Sequence, residues 1–96
     1  MTTEQQAEVH RVLSNPDRIA IMDYLAAIPS SKSVRKEASV SEIAIAIKNA
    51  PTNAVKHLAK LEKVGLIVRR PEKTQLGQKV WNSIAPSIVW PLVIRR

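Results

Sequence analysis

The stretch from Thr52 to Arg70, TNAVKHLAKLEKVGLIVRR, places several cations on the polar side of what its spacing predicts to be a helix. At about 100° per residue, the side chains divide into two arcs. One arc holds the apolar residues Ala54, Val55, Leu58 and Leu61. The other arc holds Asn53, Lys56, His57, Lys60 and Lys63. Ammonium groups on one helix face are suited to phosphates, and amide or imidazole groups to hydrogen bonds with base edges.

Positive charge is unevenly distributed along the chain. The 96 residues carry a net charge of +7. Residues 1–47 contain five cations and six anions, whereas residues 48–96 contain ten cations and two anions. Such asymmetry favours a polyanionic partner, usually nucleic acid. The competing interpretation is a solvated surface that only keeps the protein soluble.

The composition excludes several classes of function. The chain has no cysteine, so disulfides, zinc fingers and thiol-based redox sensing are excluded. It has no glycine-rich phosphate loop, nucleophile elbow or cluster of histidines with carboxylates, so we predict no enzyme, no cofactor and no metal site. The N-terminus is polar and no apolar run reaches the length of a membrane span, so we predict a cytoplasmic protein without membrane contact.

Caps and apolar spacing predict four helices followed by a β-hairpin. We expect helices at residues 3–13, 16–28, 41–47 and 51–64, and strands at residues 66–70 and 79–84. Pro16 and Pro51 suit a first helical turn, and Gly65 suits a helix C-terminus. The polar residues 71–78 are predicted to form a long turn, and the basic residues 29–39 a surface loop. An extra phosphate contact by that loop remains open.

The helix pair and the hairpin together define the predicted fold. Two short helices joined by a tight turn, the second of them cationic, form a helix-turn-helix, and a hairpin directly afterwards makes it a winged helix. The fold class is therefore mainly α with a small β-hairpin, a winged helix-turn-helix, in one domain over residues 1–96. In this arrangement the second helix enters the major groove, and the hairpin lies on the adjacent backbone or minor groove.

Two segments resemble a known family. The first, Leu13–Leu25 with the sequence LSNPDRIAIMDYL, resembles the opening of ArsR-type winged-helix repressors, and Val40–Arg70 resembles their DNA-binding core. The pairs His57–Leu58 and Gly65–Leu66, with Leu61 between them, stand where that family has its HL…L…GL pattern. The resemblance implies a homodimeric transcription regulator, usually a repressor.

The sequence also departs from that family. Val55 stands where serine is frequent, and Pro51 stands where glutamine or serine is frequent. Members that sense metals use cysteine clusters or sets of histidine and aspartate in terminal helices. This chain has no cysteine, and no His, Asp or Glu follows Glu72, so metal sensing is not expected.

The residues predicted to bind double-stranded DNA lie on the fourth helix and on the hairpin. They are Thr52, Asn53, Lys56, His57, Lys60, Arg69, Arg70, Lys73, Gln75 and Lys79. Side chains alternate along a strand, so at most one of Arg69 and Arg70 should point at DNA. The alternative for His57 is a capping or packing role at the helix surface.

Both chain ends are predicted to form a homodimer interface, through residues 1–13 and 85–96. The apolar residues concerned are Val9, Val12, Leu13, Ile88, Val89, Trp90, Leu92 and Val93. An apolar run of this kind left in water would be an exposed patch that soluble monomers rarely carry. The alternative is that the tail folds back over its own hairpin and completes the core of one chain.

The leading interpretation of function is a dimeric, sequence-specific regulator of transcription that acts as a repressor. A DNA-coating protein with low sequence preference is supported equally by the charge. A winged helix that contacts protein or RNA is the third interpretation, and it predicts no binding to duplex DNA.

Overall fold

A computed structural model describes residues 2–92 of the chain. It contains four helices and a small antiparallel sheet, which confirms the predicted fold class. The elements in chain order are α1 (Thr3–Val12), α2 (Pro16–Ala26), β1 (Ala38–Ser39), α3 (Val40–Ile47), α4 (Pro51–Lys63), β2 (Ile67–Thr74) and β3 (Gly77–Ile84). Helices α1 and α2 end one and two residues earlier than predicted.

The N-terminal caps explain where the helices begin. The backbone N–H of Asp17 donates to the Asn15 side chain over 2.9 Å, which caps α2 with Pro16 in the first turn. Helix α3 begins at Val40, one residue before the predicted start. Its cap is Ser39, because Ser39 and Glu42 form a capping box with hydrogen bonds of 3.2 and 3.0 Å.

A short strand that the sequence did not predict lies at the end of the basic loop. Strand β1 pairs with β3, so the sheet has the order β1-β3-β2. The side chain of Asn82 in β3 is fully buried and donates to the carbonyl of Ala38 over 3.0 Å. The expectation of an irregular loop over residues 29–39 was therefore wrong at its C-terminal end.

The hairpin is longer and tighter than predicted. Strands β2 and β3 pair from Ile67 opposite Ile84 to Thr74 opposite Gly77, which leaves only Gln75 and Leu76 in the turn. The predicted long turn over residues 71–78 was wrong, because Pro71 is tolerated in a strand at the edge of the sheet. The wing therefore projects as a two-stranded ribbon.

One hydrophobic core joins the helices to the base of the sheet. Its buried residues are Val9, Val12, Ile21, Met22, Leu25, Ile28, Ala38, Ile43, Leu58, Leu61, Leu66 and Ile67. Leu13, Ile88, Trp90 and Leu92 pack against this core and are partly buried. Val9 and Val12, which were predicted for the dimer interface, are each only 5% exposed in one chain, because the core of that chain covers them.

Gly65 links α4 to the wing in a left-handed conformation. Its φ is +82°, and a Cβ added to it would meet no atom within 4 Å. The conformation, and not a close contact, therefore favours glycine there. We expect Gly65→Ala to lower the free energy of unfolding by about 1 kcal/mol, and Gly65→Asn to lower it less, because asparagine tolerates this region. Urea denaturation measures both; equal losses for the two variants would contradict the explanation.

Candidate nucleic-acid interface

Helix α4 has one buried face and one open face. Ala54, Leu58 and Leu61 are fully buried in the core. The exposed residues on the opposite side are Thr52, Asn53, Val55, Lys56, Ala59, Lys60 and Lys63. Val55 was expected with the buried set, but it is 41% exposed because its position lies at the margin of the apolar arc. The open face is therefore cationic with an apolar margin.

A chain of polar contacts holds the beginning of α4 against α2. The Nδ2 of Asn49, in the turn before α4, donates to the carboxylate of Asp17 over 3.0 Å. Asn53 donates to the Oδ1 of Asn49 over 2.9 Å. Arg18 donates to the carbonyl of Val12 over 3.0 Å, which connects α1 to the same network. These contacts fix the position of the beginning of α4 relative to α2.

His57 belongs to this network and not to the open face. Its side chain is only 15% exposed, and its Nδ1 accepts a hydrogen bond from the Nε of Arg18 over 3.2 Å. Burial lowers the pKa of His57, and the charge of Arg18 lowers it further, against an opposing effect of Asp17. At neutral pH the ring is therefore uncharged, with Nδ1 available as the acceptor. The low exposure of the ring supports the alternative that we gave for His57, a packing role at the helix surface.

The two arginines of β2 are also bound within the chain. The Nε of Arg69 donates to the side-chain oxygen of Asn82 over 2.8 Å. Arg70 makes two hydrogen bonds to Glu37, of 2.9 and 2.8 Å, and a third to Glu72 of 3.2 Å. The hydrogen bond from Arg70 is the main reason why the pKa of Glu37 is lowered, and the pKa of Arg70 is raised. Arg70 thus ties the wing to the segment before β1.

The remaining predicted residues of the wing are exposed. Lys73, Gln75 and Lys79 lie near the tip of the hairpin. The Nζ of Lys79 lies 4.4 Å from the centroid of the Trp81 ring, within the range of a cation–π contact. The structure therefore brings Thr52, Asn53, Lys56 and Lys60 together on α4, and these three residues together on the wing.

Sequence analysis missed the positioning residues Asp17, Arg18 and Asn49. The signal was present in the segment SNPDR, which we interpreted only as a helix start.

Among residues 2–92, no three His, Cys, Asp or Glu side chains come together in a group that would hold a metal ion. No helix within that range is long and apolar enough to cross a membrane.

The predicted interface residues at the C-terminal end differ in exposure. Val89 is 78% exposed, whereas Ile88 and Leu92 are partly covered by the chain itself. The indole N–H of Trp90 donates to Asp23 over 2.6 Å. Val93 lies outside the described residues. Residues 85–92 of the tail therefore pack on their own chain in part and leave the side chain of Val89 in water.

The sequence matches a known family over most of this region. Residues 13–70 match the family model of a helix-turn-helix domain, and the chain therefore belongs to that helix-turn-helix family. No match was found among proteins with curated descriptions.

Solved structures share the fold. The solution structure of a Mycobacterium bovis fragment, residues 1–100 of a possible ArsR-family transcriptional regulator, is a homodimeric winged helix-turn-helix DNA-binding domain. It is 32% identical with a TM-score of 0.68, covering 85% of this chain and 65% of that chain, which is just under two thirds of its length.

Two crystal structures also share the fold. A possible transcriptional regulatory protein fragment from Mycobacterium bovis is 32% identical with a TM-score of 0.68, covering 85% of this chain and 75% of that chain. An ArsR family transcriptional regulator is 27% identical with a TM-score of 0.63, covering 88% and 74%. The resemblance to ArsR-type winged-helix regulators is confirmed, and the family and fold are those of DNA-binding transcription regulators.

The environment of His57 predicts a pH-dependent stability. Its pKa in the folded chain is below the ordinary histidine value of 6.5, so the unfolded chain binds more protons in this range. The free energy of unfolding is then highest above pH 6.5, and it decreases as the pH is lowered through the pKa of His57 in the folded chain. We expect the urea midpoint to decrease from about pH 7.5 to about pH 5.5, and His57→Gln to flatten the decrease. His10→Gln, on the exposed side of α1, is the control and should retain the decrease of the urea midpoint. If the decrease were unchanged in His57→Gln, His57 would not be its cause.

Proposed function

We propose that the protein is a homodimeric repressor that binds a specific sequence of double-stranded DNA. The observation that carries the proposal is the open face of α4, which is cationic and exposed, while the Asp17–Asn49 contact holds the turn before α4 against α2. The major groove is wide enough to admit a helix, and its base edges distinguish all four base pairs. The ribbon of β2 and β3 then lies beside the adjacent backbone.

The contacts divide into two kinds. On α4 we assign base contacts to Thr52, Asn53 and Lys56, and a phosphate contact to Lys60. On the wing, Lys73, Gln75 and Lys79 contact phosphates or the minor groove, since their side chains are exposed. A phosphate contact positions the protein without carrying sequence information.

Three residues from the predicted set act indirectly in this proposal. His57, Arg69 and Arg70 are engaged by Arg18, Asn82 and Glu37 within the chain. We assign them the role of positioning the helix and the ribbon. Arg70 in particular sets the angle of the wing, because Glu37 lies immediately before β1 and is tied to β3 through that strand.

The proposed dimer rests on the exposed side chain of Val89 in the tail and on the homodimeric Mycobacterium bovis domain. A two-fold dimer places two copies of α4 about one DNA turn apart, near 34 Å. A symmetric DNA site is then read by two equal helices, and occupation of a promoter by the dimer excludes the polymerase. We propose control without a metal, because the chain has no cysteine.

The salt dependence of binding tests the DNA contacts. If a dimer makes on the order of 6–10 phosphate contacts, affinity should fall by about 10³–10⁵ between about 50 and 200 mM salt. Fluorescence anisotropy with labelled duplexes measures this slope. An affinity that hardly changes with salt would contradict DNA binding, and a specific-to-nonspecific ratio far below about 10³ would favour the DNA-coating alternative.

Two lysines separate base contacts from phosphate contacts. Lys56→Ala should reduce discrimination between the selected duplex and a scrambled one by about 1–3 kcal/mol. Lys73→Ala should weaken both duplexes equally and reduce the salt slope by about two units, one for each protomer of the dimer. Both side chains are exposed, so both variants should fold. An unchanged discrimination ratio in folded Lys56→Ala would remove this residue from the reading surface.

The exposed tail residue Val89 tests the dimer. Val89→Asp places a charge on a side chain that is 78% exposed in one chain, so it should shift the protein to a monomer without unfolding it. Sedimentation equilibrium measures the shift, and duplex binding should weaken in parallel. The matched control is Val34→Asp, at a position that is 90% exposed in the loop before β1. A wild-type monomer at micromolar concentration would overturn the dimer.

A further inference from the structure

The open face of α4 divides along its length into an apolar and a cationic strip. At about 100° per residue, Thr52, Val55 and Ala59 lie within one narrow arc, which we call the methyl strip. Lys56, Lys60 and Lys63 lie beside it, further from Val55. All six side chains are exposed. The methyl strip extends over about two helical turns, and Glu62 and Lys63 follow Ala59 in the next turn of α4.

The core does not explain the valine in this strip. Ala54, Leu58 and Leu61 supply the buried face of α4, and all three are fully buried. Valine is less favourable in a helix than alanine or lysine, because its branched side chain loses rotamer freedom. The presence of valine at position 55 is therefore explained neither by helix propensity nor by complete burial in the core.

The side chains available on α4 restrict which bases it can read. Helix α4 has no arginine, glutamine or aspartate. The amide of Asn53 is held by Asn49, which competes with a bidentate contact to adenine. The other exposed side chains of α4 include lysines, which suit guanine or phosphate, Glu62, which suits cytosine, and the methyl groups of the strip. The thymine C5-methyl is the apolar group that the major groove presents.

The strip also matches the groove in length. Thr52 and Ala59 are seven residues apart, so the strip is about 10 Å long at a rise of 1.5 Å per residue. Base pairs along one strand are about 3.4 Å apart. The methyl strip thus faces roughly three successive base pairs, with Val55 near its middle.

We propose that Val55 is a specificity-determining residue that reads a thymine through its C5-methyl group, with Thr52 and Ala59 closing the apolar contact on either side. The preferred DNA site then carries thymine opposite Val55 in each half-site. This inference rests on the proposed function, because it requires α4 to lie in the major groove.

The test uses the intact protein and a pool of randomised DNA duplexes. The duplex selected by the wild-type protein is synthesised again with deoxyuridine in place of thymidine, one position at a time, which removes only the methyl group. We expect one position in each half-site at which uracil weakens binding about three- to tenfold, the value of one buried methyl group. In Val55→Ala the effect of uracil at that position should disappear, whereas the effects of other substitutions remain.

Val34→Ala is the matched control, since Val34 is exposed in the loop and away from α4. It should retain the full effect of uracil. If the selected duplex is bound specifically but uracil has no effect at any position, the inference is overturned and the proposed function stands. If uracil weakens Val55→Ala as much as the wild-type protein, Val55 is not the reader. If no sequence is enriched from the pool, sequence-specific binding fails, and the inference fails with it.

Discussion

Ala54, Leu58 and Leu61 are enclosed completely by the core, and this burial determines which side of α4 meets solvent. A fully buried leucine contributes about 1.5–3 kcal/mol relative to an exposed one, so rotation of α4 about its axis would cost most of the stability of a small domain. Every side chain on the opposite side is held outward as a consequence. The orientation of the open face of α4 is thus set by hydrophobic packing, and not by the cations themselves.

Polar contacts determine the position of α4 along its own axis. Packing fixes the rotation of α4, but it allows the helix to slide along its axis. The contacts of Asp17 with Asn49, and of Arg18 with His57, tie two points of α4 and its preceding turn to α2. Arg70 and Glu37 do the same for the wing. A rigid helix and a rigid ribbon lose little conformational entropy on binding, which is a large part of the cost of association.

Local sequence signals predicted the parts of the molecule that are determined locally. The beginnings of α2 and α4 at Pro16 and Pro51, and the end of α4 at Gly65, were each read from a residue with a fixed backbone preference. The pairing of β1 with β3 joins Ala38 to Asn82, and the Arg70–Glu37 contact joins residues 33 apart. Neither leaves a periodic pattern in the chain. The partners of His57 and Arg70 were missed for the same reason, since Arg18 and Glu37 are distant from them in sequence.

The sheet has two open edges, and neither is suited to accept another strand. Strand β1 has only two residues, and β2 carries Pro71 together with Arg69, Arg70 and Lys73. Proline removes a hydrogen-bond donor from the outer strand, and the cations repel a second copy of the same edge. Copies of the chain that come close together are therefore kept from stacking their wings into a continuous sheet. The proline that interrupts the sequence pattern of the wing thus protects the protein against edge-to-edge aggregation.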